Sequence, residues 1–261
     1  MKKMEWSRFL LKVLMWILVI GFGSNMILQT ISYSFYKKAK KLDHVDSTPI
    51  PIAFSDDLSG YGANLDSPSE DVILFFGGSN YIAHNAVGAF SDGFNNPFLS
   101  ADYYGSQASQ GKMTLSSMQK TAEDLYDWAR EHYPTKNIVV MGHSYGAGMA
   151  TYLASVRECK SLVLFAAYRD LSDLYNKIIP IFWGPGKIFI SDNIRLSEYA
   201  KNVHCPTYLV GSKNDTVLPA SLQQKVQEAF ASAEIVIFED VSHEDYLKNP
   251  DVLHYIRDKL H

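Results

Sequence analysis

Gly142-His143-Ser144-Tyr145-Gly146 sets a serine between two glycines, each two positions away. Residues 137–141 (Asn-Ile-Val-Val-Met) read as a short buried strand, and residues 147–154 read as a helix rich in small side chains. A serine at a sharp turn between strand and helix is a candidate nucleophile for an acyl carbonyl. Glycine at the flanking positions removes side chains that would strike neighbouring backbone. The hydroxyl is then lifted clear of the sheet, with the positive end of the helix beneath it. The pattern by itself is weak, because at ordinary glycine and serine frequencies it recurs by chance in roughly one chain in ten. Its context and its partners must carry the reading.

A serine nucleophile needs a base, and the base needs a group to orient it. Asp215, in Gly211-Ser212-Lys213-Asn214-Asp215-Thr216, leaves the C-terminal end of a predicted strand. In an open α/β sheet that is where sites assemble. The competing role for Asp215 is an N-cap for the segment after it, with Asp170 and Asp173 as substitute acids. His243, in Val241-Ser242-His243-Glu244, follows the last predicted strand and is the candidate base, against the alternative of a solvated loop histidine. His204, His84 and His143 are weaker candidates, and His254 and His261 lie in or after the terminal helix. His143 adjoins the serine but must point away from it in such a turn. The Tyr145 N–H, directly after the nucleophile, is one expected oxyanion donor. The second is expected from the loop Gly77-Gly78-Ser79-Asn80, where paired glycines let an N–H turn toward the oxygen. Each such donor is worth about 2.7–4 kcal/mol in a transition state.

These loops need a frame. Apolar runs predict strands over 71–76, 97–103, 137–141, 161–167, 206–211 and 234–238, with helices over 114–132, 147–154, 218–230 and 252–260. Alternating strands and helices imply an α/β fold, a mainly parallel sheet with helices on both faces. Residues 168–204, between two strands, predict a short apolar-edged cap and are too few for a large lid.

The chain has 261 residues, of which 47% are apolar, and a net charge of -4. That suits one domain of a little over 200 residues. No basic patch interleaved with aromatics occurs, which excludes a nucleic-acid partner. Cys159 and Cys205 read as small buried hydrophobes rather than a disulfide or metal pair. Without CxxC or HExxH, no metal and no cofactor is expected.

Positions 13–36 carry no charge, against the roughly 20 helical residues that cross a bilayer. Trp6, Trp16, Tyr33 and Tyr36 lie near the ends, where aromatic rings favour the interface. A cleaved signal peptide, with Gly21-Phe22-Gly23 as its small-residue site, is the rival. The apolar character resumes after that site and the basic run Lys37-Lys38-Ala39-Lys40-Lys41 follows, which favours an uncleaved single-pass anchor. The expected organisation is a basic tail (1–12), a transmembrane anchor (13–36), a juxtamembrane linker with edge strands such as Pro51-Ile52-Ala53-Phe54 (37–70) and a catalytic domain (71–261). Four basic residues on each flank leave the orientation tied. A short tail stays in the cytoplasm easily, so the domain is expected outside it.

From Val72 onward the chain resembles the α/β-hydrolase superfamily, and within it the serine-aminopeptidase-like (S33-type) and BEM46-like branch, which includes single-pass membrane proteins. The resemblance lies in Phe75-Phe76-Gly77-Gly78-Ser79-Asn80, Ala101-Asp102-Tyr103-Tyr104-Gly105, Gly142-His143-Ser144-Tyr145-Gly146, Gly211-Ser212-Lys213-Asn214-Asp215 and Ser242-His243, and in the chain order Ser, Asp, His. It implies a membrane-anchored serine hydrolase in which Ser144, His243 and Asp215 act together on an ester, thioester or lipid acyl bond through an acyl-enzyme. By position, Ser79 joins Tyr145 as oxyanion donor. One departure is that Gly77-Gly78 stands where the branch usually has His-Gly. The expected partners are a small-molecule or lipid acyl substrate and the membrane. The alternatives are a non-catalytic binding protein on the same fold, or an acyltransferase or peptidase using the same three residues.

Overall fold

The computed structural model describes residues 2–79 and 81–260, with side chains of the first helix described from residue 6. Asn80 of the glycine loop and His261 therefore lie outside the described residues, as do the side chains of Lys2, Lys3 and Glu5.

Eight strands form one sheet in the order β1-β2-β4-β3-β5-β6-β7-β8. The hairpin of β1 (Ile50–Ala53) and β2 (Ser59–Ala63) pairs antiparallel onto β4 (Phe98–Ala101). From β4 onward every pair is parallel: β3 (Asp71–Phe76), β5 (Asn137–His143), β6 (Ser161–Phe165), β7 (Thr207–Ser212) and β8 (Glu234–Phe238). Every residue of β3 and β6 is buried. This explains why these strands read as unbroken apolar runs, since both faces of the sheet are covered. The mainly parallel sheet is as expected, and the linker supplies the antiparallel edge. The predicted strand over 97–103 is shorter, ending at Ala101, because Asp102 turns away to accept a hydrogen bond from the Ala83 N–H at 2.8 Å.

The covering helices are α2 (Ala83–Phe90), α3 (Leu115–His132), α4 (Tyr145–Val156), α7 (Ala220–Gln227) and α8 (Pro250–Leu260). The α3 helix starts at a capping box between Thr114 and Ser117 and buries Met118, Ala122, Leu125 and Ala129 at helical spacing. Between β6 and β7 the cap is α5 (Leu171–Tyr175), a 3-10 turn (Gly184–Phe189) and α6 (Leu196–Tyr199). It is a cover of short turns and no separate domain.

The N-terminal helix α1 (Lys2–Lys37) is about 54 Å long at 1.5 Å per residue, well beyond a hydrocarbon core of about 30 Å. Its residues 6–37 are long and apolar enough to cross a membrane. The first half exposes Phe9, Leu14, Trp16 and Ile20, whereas Gly21, Asn25, Leu28, Ser32 and Tyr36 are buried against the rest of the chain. Their spacing of four, three, four and four residues marks one helical face.

Cys159 and Cys205 differ from expectation. They are half-buried free thiols two residues before β6 and β7, and their Sγ atoms are 2.8 Å apart. They form a contacting thiol pair, because parallel neighbouring strands bring their N-terminal ends together.

Candidate active site

The turn between β5 and α4 carries the candidate nucleophile. Ser144 has φ 52° and ψ -121°, a strained conformation for a residue with a Cβ. The surroundings show why glycine flanks it. A Cβ on Gly146 would lie 2.1 Å from the Phe76 carbonyl oxygen, and one on Gly142 would lie 2.7 Å from the Ala147 Cα. The turn therefore presses β3, β5 and α4 together at backbone distance, and Ser144 is pinned by its N–H to the Phe165 carbonyl of β6 at 2.9 Å.

His243 and Asp215 come to this serine from two loops at the same end of the sheet. His243 Nε2 is 2.9 Å from Ser144 Oγ, and His243 Nδ1 is 2.9 Å from Asp215 Oδ2. The three side chains form one continuous hydrogen-bonded line. Asp215 is 1% exposed, and an ionised carboxylate at that depth demands partners. It has them: Oδ1 accepts from the Val217 and Leu218 N–H groups, and Oδ2 also accepts from the Tyr246 hydroxyl at 3.0 Å. Burial alone would raise its pKa. The bonds from His243, Leu218 and Tyr246 outweigh burial and hold it below the usual carboxylate range. Both sequence readings of Asp215 are thus realised, since one oxygen caps the turn and the other meets the histidine.

The two loops are tied together. Ser212 Oγ, fully buried at the end of β7, accepts from the Asn214 N–H at 3.1 Å and from the Val241 N–H at 3.0 Å. Asn214 donates to Asp240 and Lys213 pairs with Glu239, so the acid loop and the histidine loop are bonded to each other at several points.

His143 borders the same pocket as Ser144 and has its own partner. Its Nε2 lies 2.8 Å from the backbone oxygen of His243, and the two rings are 4.9 Å apart. A carbonyl can only accept, so Nε2 carries the proton. Burial, with the neighbouring His243, pushes the His143 pKa down to about 3, so the ring is neutral near pH 7. It anchors the backbone of His243. Tyr246, Ser212 and this use of His143 were not predicted. The signal for each is a contact across loops far apart in sequence.

The substitutes do not reach the serine. Asp170 caps α5 through the Ser172 N–H and pairs with Lys187 at 2.6 Å. Asp173 is clamped by Arg169. His84 packs edge-on against Tyr61, His254 is on the exposed face of α8, and His204 borders a cleft with Cys159 at the other end of the strands.

Ser144 opens into a pocket of about 260 Å³. Ser79 and Tyr145, the two residues expected to supply oxyanion donors, border it beside His243. Gly78 lies against the turn, where a Cβ would be 3.0 Å from the Ser144 Cβ. The remaining lining is mostly apolar, with Leu174, Tyr175 and Ile178 from the cap and Leu28, Ile31 and Phe35 from α1; Ser32, Lys177 and Glu244 are its polar members. A larger cleft of about 1040 Å³ lies at the opposite end of the strands, where β3 begins and just before β6, around Ser69, Asp71 and Lys160, remote from this chemistry. Among the described residues no cluster of His, Cys, Asp or Glu could hold a metal ion.

Comparison with known proteins follows the same geometry. Residues 75–184 match the family model of the alpha/beta hydrolase fold. The chain is 26% identical to the lysophosphatidylserine lipase ABHD12 of Danio rerio over 149 residues, 51% of this chain and 39% of that protein. It is 25% identical to the human protein ABHD12B over 244 residues, 81% of this chain and 67% of that protein. The chain thus spans well under half the length of the Danio rerio relative. Among solved structures, Est1E from Butyrivibrio proteoclasticus with bound ferulic acid superposes with a TM-score of 0.62 at 16% identity, covering 78% of this chain and 94% of that one. The Pyrococcus furiosus esterase Pf2001 gives 0.59 at 18% identity, covering 83% and 92%. The matched segment contains Ser144, and the solved structures share the overall arrangement of the sheet and its helices; the chain has the α/β-hydrolase fold.

Proposed function

We propose that the protein is a membrane-anchored serine hydrolase that cleaves an acyl ester, thioester or lipid acyl bond. The observation that carries this reading is the unbroken line Ser144 Oγ–His243–Asp215 at a strained turn, opening into an apolar pocket. His243 Nε2 takes the hydroxyl proton as Ser144 attacks the acyl carbon. The imidazolium that forms faces Asp215, whose charge is fixed by four donors. The Tyr145 and Ser79 N–H groups receive the oxyanion. His243 then protonates the leaving group, and water, deprotonated by the same nitrogen, releases the acyl group from Ser144.

The pocket favours an acyl chain over a peptide, because its walls are apolar and present no charged group at the serine other than Glu244 and Lys177 near its rim. The esterase and lipase names among the relatives and solved neighbours support the same class. A purely binding role on this fold is disfavoured, because it would not need a strained serine aligned with histidine and buried carboxylate. The anchor is α1, and the domain lies outside the cytoplasm.

The test is turnover of acyl esters of graded chain length by the full chain. Ser144→Ala is expected to abolish hydrolysis while the fold persists, since it removes one partly accessible oxygen. Asp215→Asn and His243→Ala are each expected to lower kcat by roughly 10⁴-fold or more, and their double variant by little beyond that, because such residues act as a unit. Undiminished hydrolysis by Ser144→Ala contradicts the assignment.

A further inference from the structure

We infer that α1 is part of the active site as well as the anchor: its last three turns form one wall of the acyl pocket, and the chain of a single-chain, membrane-resident acyl ester reaches Ser144 along that wall. This rests on the serine-hydrolase reading above and adds the route and the specificity element.

The wall is built by α1 itself. Leu28, Ile31 and Phe35 recur at helical spacing of three and four, and all three border the pocket that holds Ser144 and His243. Across from them stand Leu174, Tyr175 and Ile178 of the cap. Neither side closes the pocket alone. Its volume of about 260 Å³ falls just below the roughly 300–1,000 Å³ of pockets that enclose drug-sized ligands. That volume suits the reactive end of one acyl chain better than two chains side by side.

The helix is also locked to the chemistry. The Tyr36 hydroxyl, at its final turn, donates to the Gly77 carbonyl at 3.1 Å. Gly77 opens the loop that brings Ser79 to the serine. The Tyr36 ring packs 5.8 Å from Tyr145 and edge-on to Tyr103 at 5.1 Å. Further up, Asn25 donates to Ser191 at 2.7 Å, Gln29 to Asp192 at 3.0 Å, and Phe22 meets Phe189 edge-on at 5.2 Å over the bare Gly21. A mere tether needs none of this. These contacts hold Ile31 and Phe35 at a fixed distance from Ser144.

The same helix connects the pocket to lipid. Its exposed face upstream is apolar, and Ile178 of the cap, which borders the pocket, is 63% exposed, with Trp183 and Ile188 elsewhere in the cap also exposed. Apolar side chains exposed on the helix and on the cap mark a surface that meets lipid. A chain already in the leaflet therefore follows α1 into the pocket without first being extracted into water.

The test uses the full-length protein in phosphatidylcholine vesicles, assayed on p-nitrophenyl butanoate and p-nitrophenyl hexadecanoate, which share a leaving group. Ile31→Trp fills the groove. It is expected to lower the hexadecanoate-to-butanoate ratio of kcat/KM by about tenfold or more, the scale on which a hydrophobic pocket discriminates chain length. Phe35→Ala is expected to move the preferred chain length upward. Val19→Trp, on the exposed lipid-facing part of α1, is expected to leave the ratio alone. An unchanged ratio in Ile31→Trp overturns the inference, as does an equal fall in Val19→Trp. Turnover of the two-chain vesicle lipid at the single-chain rate overturns the single-chain assignment. If the wild type cleaves neither ester, the hydrolase reading has failed and the wall is judged by binding alone. A diazirine-bearing hexadecanoic acid then crosslinks within residues 28–35 if the wall is as described, and exclusively to the cap if it is not.

Discussion

Asp215 holds its charge by serving several neighbours at once, and Tyr246 is the one whose removal is most informative. Its hydroxyl is a single donor to the carboxylate, buried beside it. Hydrogen bonds to charged groups contribute about 1.5–3 kcal/mol, so Tyr246→Phe is expected to lower unfolding free energy by about that amount near neutral pH. The pH dependence has a definite sign. A carboxylate depressed by folding adds stability above its unfolded pKa of about 3.9, and that stability fades as pH falls through the lower folded value. Tyr246→Phe raises the folded value, so the gap between variant and wild type should narrow in acid. Urea unfolding at neutral pH and at a pH well below 3.8 measures it, and a gap of equal size at both would assign Tyr246 to packing alone. None of this could be read from the sequence. Ser144, Asp215 and His243 were legible because each is tied to a strand end by a local pattern. Tyr246, Ser212 and the bond from His143 to the His243 backbone depend on which loops meet, and no spacing encodes that.

At the scale of elements, the strand-turn-helix around Ser144 is the tightest joint in the fold. It was legible because glycine two residues either side of a serine is a local requirement of close backbone approach. Gly146 is the sharper case, since any Cβ there collides with the Phe76 carbonyl oxygen. Gly146→Ala is expected to force β3 and α4 apart, to cost about 1–3 kcal/mol as overpacking does, and to lower Tm by several degrees. Ester turnover should fall with it, because Gly77 and Ser79 follow β3 directly. Calorimetry with an ester assay checks both, and a variant with wild-type Tm and turnover would contradict the close approach. The docked half of α1 was not legible. Gly21, Asn25, Leu28, Ser32 and Tyr36 are mixed in polarity and sit inside an apolar run. Hydropathy sees a span there and cannot tell a face turned to lipid from a face turned to protein. The cysteine pair escaped for a related reason: the two residues are 46 positions apart and meet only because β6 and β7 are neighbours.

At the scale of the whole molecule, the proposed anchor helix and the α/β-hydrolase-fold unit line one pocket together. In the proposed topology the basic first turns of α1 face the cytoplasm, and the unit after the helix is translocated. Protease added to right-side-out vesicles is then expected to digest the chain beyond residue 42. Protection there, with digestion only after lysis, would invert the orientation. The central claim is that Ser144 is the nucleophile, and its most direct measurement is covalent capture. The full-length protein is treated with an alkyl fluorophosphonate and its peptides are mapped by mass spectrometry. The account predicts one adduct, on Ser144, formed rapidly in the wild type, absent in Ser144→Ala and slowed by orders of magnitude in His243→Ala. An adduct on another serine, or none on Ser144 in a folded wild-type protein, would contradict it.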